Sequence, residues 1–151
     1  MIKRIVLVVV GLWLVELAMS LLFRAVYSVI GVPTGAWMPV AFTFGFAVSA
    51  VPYVVAAWLV GRWQGLQGSQ LTITAVVAYL LGAAGGVLVV GPVVTVFLRT
   101  NPAVLGANTV VSDYGTTALI GLVGAIVGVA IYWLVAFISK RSFRPKTGCT
   151  V

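Results

Sequence analysis

MIKRIVLVVVGLWLVELAMS, residues 1–20, has two readings, and the choice between them decides the fold. It begins like a signal peptide, with Lys3 and Arg4 ahead of an apolar run and with Ala18 and Ser20 as small residues near its end. Against removal stand Glu16, which interrupts the run, and the apolar pattern that continues through Leu21, Leu22, Phe23 and Ala25. The stretch is therefore expected to remain in the protein as the first of several membrane-spanning helices.

Three more apolar stretches follow. Helices are predicted at about residues 5–30, 38–60, 71–98 and 114–139. Each is long enough for a hydrocarbon core of about 30 Å, which takes roughly 20 helical residues. The first and third exceed that length and are expected to tilt, kink or protrude. Composition agrees. The chain is 62% hydrophobic and 7% charged, where a soluble domain is about half apolar and a quarter charged. Nine basic and two acidic side chains cannot cover a soluble fold of this size. The expected fold is an all-α integral membrane protein, with four transmembrane helices in an antiparallel bundle over residues 1–139. A basic cytoplasmic tail follows at 140–151.

Charge sets the orientation. Lys3, Arg4, Arg62, Lys140, Arg141, Arg144 and Lys146 fall at the end of the bundle that holds the N-terminus, and only Arg24 and Arg99 at the other. The positive-inside rule then puts both termini in the cytoplasm, which an even number of crossings also requires. A plasma or cytoplasmic-type membrane is the expected location. GRWQGLQGSQ (61–70) reads as a cytoplasmic turn with Ser69 as helix N-cap, and GVPTGAW (31–37) as a tight outer turn. RTNPAVLGANTVVSD (99–113) is the longest loop. Ser112 and Asp113 close it, where a carboxylate suits the free N–H groups of helix four.

The residues that are scarce exclude much chemistry. With no His, one Cys and two acids (Glu16 and Asp113), the chain lacks the ligands for haem held by His, zinc, di-metal carboxylate or iron–sulfur sites. A Ser-His-Asp relay is excluded as well. No cofactor, no metal and no enzymatic activity are expected. The net charge of +7 flanks hydrophobic segments and forms no stripe with interleaved aromatics. It therefore speaks for orientation and for contact with the lipid bilayer, not for nucleic acid. The tail residues Lys140, Arg141, Arg144 and Lys146 are expected to face anionic lipid or an acidic partner, and Cys149 is an acylation candidate.

Small residues recur at four-residue spacing. Gly82 and Gly86 in helix three, and Gly121, Gly124 and Gly128 in helix four, predict faces where backbones approach closely. Such faces serve either a neighbouring helix or a second subunit, and helices three and four are the favoured pair. Pro52 and Pro92 fall inside helices two and three, where each removes a backbone donor.

Glu16 is the residue with functional promise. At about 1.5 Å rise per residue, Arg4 lies about 18 Å below it and Arg24 about 12 Å above it. An acid at that depth costs on the order of 2.5–3.5 kcal/mol, so it calls for a reason. In lipid it is expected to hold its proton unless a cation or water compensates. Ser20, one turn on, is the nearest polar companion. Tyr53, Tyr79 and Tyr132 fall at similar depth on the other three helices, which makes a polar cluster around the carboxyl group the natural expectation.

Four helices with one glutamate in helix one resemble the small multidrug resistance transporters, and VPTGAW (32–37) is similar to a short segment of those proteins. The resemblance implies exchange of protons for cationic drugs, with Glu16 as the exchanging acid. The chain is substantially longer than that family, and its VPTGAW precedes helix two where theirs precedes helix three. Two functions are thus expected in order. The first is a structural, accessory or assembly subunit of a membrane complex, held to a protein partner or a second copy of itself. The second is a small proton- or cation-coupled transporter that uses Glu16.

Overall fold

The computed structural model describes residues 1–31, 35–100 and 114–142. Four long helices account for nearly all of them: α1 (Ile2–Ile30), α2 (Met38–Trp63), α3 (Gly68–Thr100) and α4 (Tyr114–Ser142), with a short 3₁₀ turn at Gly35–Trp37 ahead of α2. All four are long and apolar enough to cross a membrane. Apolar residues occupy every face of them, as a lipid-facing helix requires. α1 begins at Ile2 and α4 runs to Ser142, so each carries its flanking basic residues on helical backbone beyond the apolar run. α2 and α3 continue through Pro52 and Pro92. Of the stretch 99–113 expected as a loop, Arg99 and Thr100 belong to α3, and 101–113 with Ser112 and Asp113 lie outside the described residues, as do Arg144, Lys146 and Cys149 and the side chains of Arg24 and Arg99.

The turn between α2 and α3 shows how local sequence shapes one end of the bundle. Gly65 takes φ 87°, a conformation that costs a residue with a Cβ but not glycine. Its N–H donates to the Arg62 carbonyl at 3.0 Å, and the Leu66 N–H reaches back to the Gly61 carbonyl at 3.2 Å. These paired bonds end α2 as a Schellman cap and satisfy carbonyls that would otherwise be orphaned. They also fold Leu66 inward, where it is buried beside Gly61 and close to Leu71. Gly68, with φ 60°, then turns the chain into α3, so Ser69 lies within the first helical turn and does not cap it.

The buried core is built from small and branched residues. Val8 and Leu12 come from α1, Ala56, Ala57 and Val60 from α2, Leu71, Ala75 and Ala78 from α3, and Ala125, Val129, Tyr132 and Ala136 from α4. α3 and α4 form the most extensive pairing. A Cβ at Gly82 would overlap the Tyr132 ring, and one at Gly85 would overlap Ile131. Lipid tails are as apolar as leucine, so this close approach holds the helices together by van der Waals contact. Aromatic rings mark the same end: the Arg4 guanidinium lies 5.6 Å from the centre of the Trp63 ring, and that of Arg62 5.3 Å from Trp58.

Candidate functional site

Above this core the helices leave space. A cavity of about 500 Å³ is lined by one stripe from each of α2, α3 and α4, together with Glu16 from α1. The α2 stripe is Phe46, Ser49, Ala50 and Tyr53, a spacing of three, four and seven residues that keeps one helical face. Tyr79, Gly82, Ala83, Gly86 and Val87 repeat the pattern on α3. On α4 the wall is Gly124, Gly128 and Tyr132, each one turn apart. The void exists because glycine and alanine supply most of the two facing walls. At Gly86 a Cβ would meet nothing within 4 Å.

Glu16 is half-buried at the edge of this cavity. The Tyr53 hydroxyl donates to its Oε2 at 2.9 Å. The carboxyl group rests on α4 at Gly121, where a Cβ would stand 3.0 Å from Oε2. Gly121 therefore makes room for an acid on α1. One turn earlier on α1, the Trp13 indole N–H donates to the Ala118 carbonyl at 2.8 Å, tying α1 to α4 along the same seam. A second cavity, of about 180 Å³, lies between α1 and α2 and is lined by Val15, Glu16, Met19, Ser20, Phe23, Ser49, Pro52 and Tyr53.

Most residues singled out from sequence meet here. Glu16, Tyr53, Tyr79 and Tyr132 share the larger cavity, with Gly82, Gly86, Gly124 and Gly128 in its walls. Ser20 lines the smaller cavity beside Glu16. Gly86 faces the void, whereas its neighbour Gly85 makes the close approach to α4. Lys140 and Arg141 stand apart at the exposed end of α4, where the Arg141 guanidinium lies 4.4 Å from the Phe137 ring centre. Sequence reasoning missed Phe46, and it reads Ser49 only as a small packing residue beside Ala41 and Gly45 and Trp13 only as a neighbour flanking Glu16 on the same helix. Ser49 and Phe46 share the helical spacing of Tyr53, so extending that stripe upward would have found them. Trp13 carries no such signal, because its acceptor is a backbone carbonyl on another helix.

Among the described residues lining the two cavities, Glu16 is the one carboxyl group, and no basic side chain accompanies it. Tyrosine offers a hydroxyl to an acid and a ring face to a cation. A cavity of this volume falls in the range that takes small organic molecules, about 300–1,000 Å³. The arrangement is thus able to hold a proton on Glu16, or to pair that carboxylate with a cationic group bounded by aromatic rings. No family model matches the chain, and no curated protein or solved structure is significantly similar to it.

Proposed function

We propose that this protein is a small transporter in which Glu16 alternates between a proton and a cationic group of an organic molecule. The observation that carries the reading is the cavity of about 500 Å³ with a single carboxyl group at its edge and three tyrosines in its walls. A packing residue does not need such a void beside it. Exchange does, because the carboxylate must be reached by whatever replaces its proton. The proposal takes the bundle as antiparallel, with both termini on the cytoplasmic side of a cytoplasmic-type membrane. The contact of Arg4 at the start of α1 with Trp63 at the end of α2 supports that arrangement. So does a core drawn from the early part of α1 and α3 and from the later part of α2 and α4.

Reconstitution in liposomes tests the reading. Glu16→Gln is expected to abolish pH-driven flux of a lipophilic cation while the purified variant keeps its thermal unfolding midpoint. Flux that survives the substitution would sink the proposal.

One observation favours the accessory-subunit reading as an alternative. Tyr53 and Gly121 hold Glu16 between three helices, as a structural acid would be held. Under that reading Glu16→Leu loses thermal stability or assembly with a partner or a second copy. A stable, fully assembled Glu16→Leu protein would count against it.

A further inference from the structure

The larger cavity has two ends of different character. At one, Phe46 and Val87 are 67% and 73% exposed, so the walls part onto the outer surface of the bundle. For helices in a bilayer that surface faces hydrocarbon. At the other end stands Tyr132, only 1% exposed, with its ring packed against Gly82. Its hydroxyl makes no hydrogen bond to any described residue. Among the described residues no fully enclosed side-chain polar atom lacks a partner, so this hydroxyl is open to the chamber. Of the other two tyrosines there, Tyr53 is bonded to Glu16 and Tyr79 is only partly buried. A hydroxyl turned towards apolar space costs free energy until something bonds to it. Lipid chains entering between Phe46 and Val87 offer it no partner.

Helix α4 sets the spacing between this hydroxyl and the carboxyl group. Glu16 rests at Gly121, where a Cβ would stand 3.0 Å from Oε2, and the Tyr132 hydroxyl rests at Gly128, where a Cβ would stand 3.5 Å from its oxygen. Two turns of helix separate these levels, about 10 Å along the axis. The wall of α4 between them is Gly124. With a hydrogen bond of about 2.8 Å at each end, a molecule that reaches both groups has its own polar atoms roughly 5–8 Å apart. A straight chain of about five carbons spans that distance. Glu16 balances one positive charge, and the described lining residues include no second carboxyl group. A second ammonium group would therefore be buried unpaired.

We propose that Tyr132 sets specificity at this site, and that the chamber takes a singly charged organic amine with a hydrogen-bonding oxygen at its far end. The ammonium group sits on Glu16 and the oxygen accepts from the Tyr132 hydroxyl. This rests on the transport reading for the pairing of Glu16 with a cation. It adds the far end of the molecule, which is read by binding without any flux.

The test is calorimetric titration of the purified full chain in lipid nanodiscs with aminopentanol, amine and hydroxyl at opposite ends, and with hexylamine, its isostere ending in a methyl group. Tyr132→Phe keeps the ring against Gly82 and removes the hydroxyl. It is expected to lower affinity for aminopentanol on the order of threefold to tenfold more than affinity for hexylamine, the factor for one hydrogen bond within a membrane. The thermal unfolding midpoint is expected to stay near that of the parent protein. The two amines dissolve in lipid to different extents, and comparing one protein with the other cancels that difference. An unchanged ratio of affinities overturns the proposal. So does a loss shared equally by both amines, which is what looser packing gives, and so does a parent protein that binds neither. Should Tyr132→Phe fail to fold, the parent protein decides. Across amino alcohols of increasing length, each paired with its isosteric alkylamine, the advantage of the hydroxyl is expected to peak near five carbons, and a flat series overturns the proposal. A Tyr132 effect found beside a Glu16→Gln protein with full flux would leave the far contact standing and remove the transport reading. Flux that depends on Glu16 without any preference for the hydroxyl would remove the far contact alone.

Discussion

Gly82 and Gly86 lie one turn apart on the same face of α3, yet they do opposite work. Gly82 lets the Tyr132 ring of α4 press against the α3 backbone, and Gly86 faces empty space. The same contrast divides the bundle. In one portion Ala56, Ala57, Ala75, Ala78 and Ala136 close the helices around Val60, Val129 and Tyr132. In the other the walls draw apart around Glu16. In a soluble protein the hydrophobic effect would favour collapse of such a void, but between helices in lipid that drive is absent. Contact forms only where opposing shapes fit. Small residues permit close packing where a large side chain stands opposite, and leave a chamber where none does.

Substitutions can break or sharpen this contrast. The largest expected effect is that of Tyr132→Ala, which empties the most buried aromatic position of the packed portion. It should cost about 3 kcal/mol, read as a lower thermal unfolding midpoint of the purified protein. A midpoint close to that of the parent protein would mean that the two portions are not packed differently. Gly82→Ala comes next. Its methyl group overlaps the Tyr132 ring and should cost about 1–3 kcal/mol by overpacking. Gly86→Ala is the smallest effect and has the opposite sign. With nothing within 4 Å, the new methyl group should be tolerated, and the better helix propensity of alanine should raise stability by up to about 1 kcal/mol. Equal losses from the two glycine substitutions would erase the distinction on which the cavity depends.

Glu16 stands at the boundary between the two portions and takes something from each. From the packed side it has Gly121 beneath its carboxyl group, and Trp13 anchors the turn before it to Ala118. From the open side it has the cavity and the Tyr53 hydroxyl. An acid seated only in the packed portion would be glue. One standing free in the open portion would lack a group to hold its geometry. The boundary gives it both support and access.

How much of this was legible beforehand differs by residue. Tyr53 was found because depth along a helix follows from counting residues at a fixed rise, and Glu16 lies at that depth. Ser49 and Phe46 were within reach of the same reasoning, since helical spacing ties them to Tyr53. The role of Gly121 was legible only in part. Its spacing announces a close approach, but nothing in a one-dimensional pattern says that what approaches is a carboxyl group. Gly85 and Gly86 are neighbours in sequence, and only the rotation of α3 against α4 decides which meets a side chain and which meets the void.

Composition and apolar run length were sufficient for four helices able to cross a membrane, because the thickness of hydrocarbon and the rise of a helix are constants that the chain cannot alter. The singularity of Glu16 is likewise a property of the sequence, since no other acid lies within an apolar run. The tertiary structure alone decided that Tyr53 holds Glu16, that the tyrosines share a cavity, and that one glycine packs while the next turn's glycine stays open. Those outcomes depend on how each helix is rotated about its axis. With apolar residues on every face, the sequence carries no stripe to specify that rotation, and shape complementarity between neighbouring helices determines it.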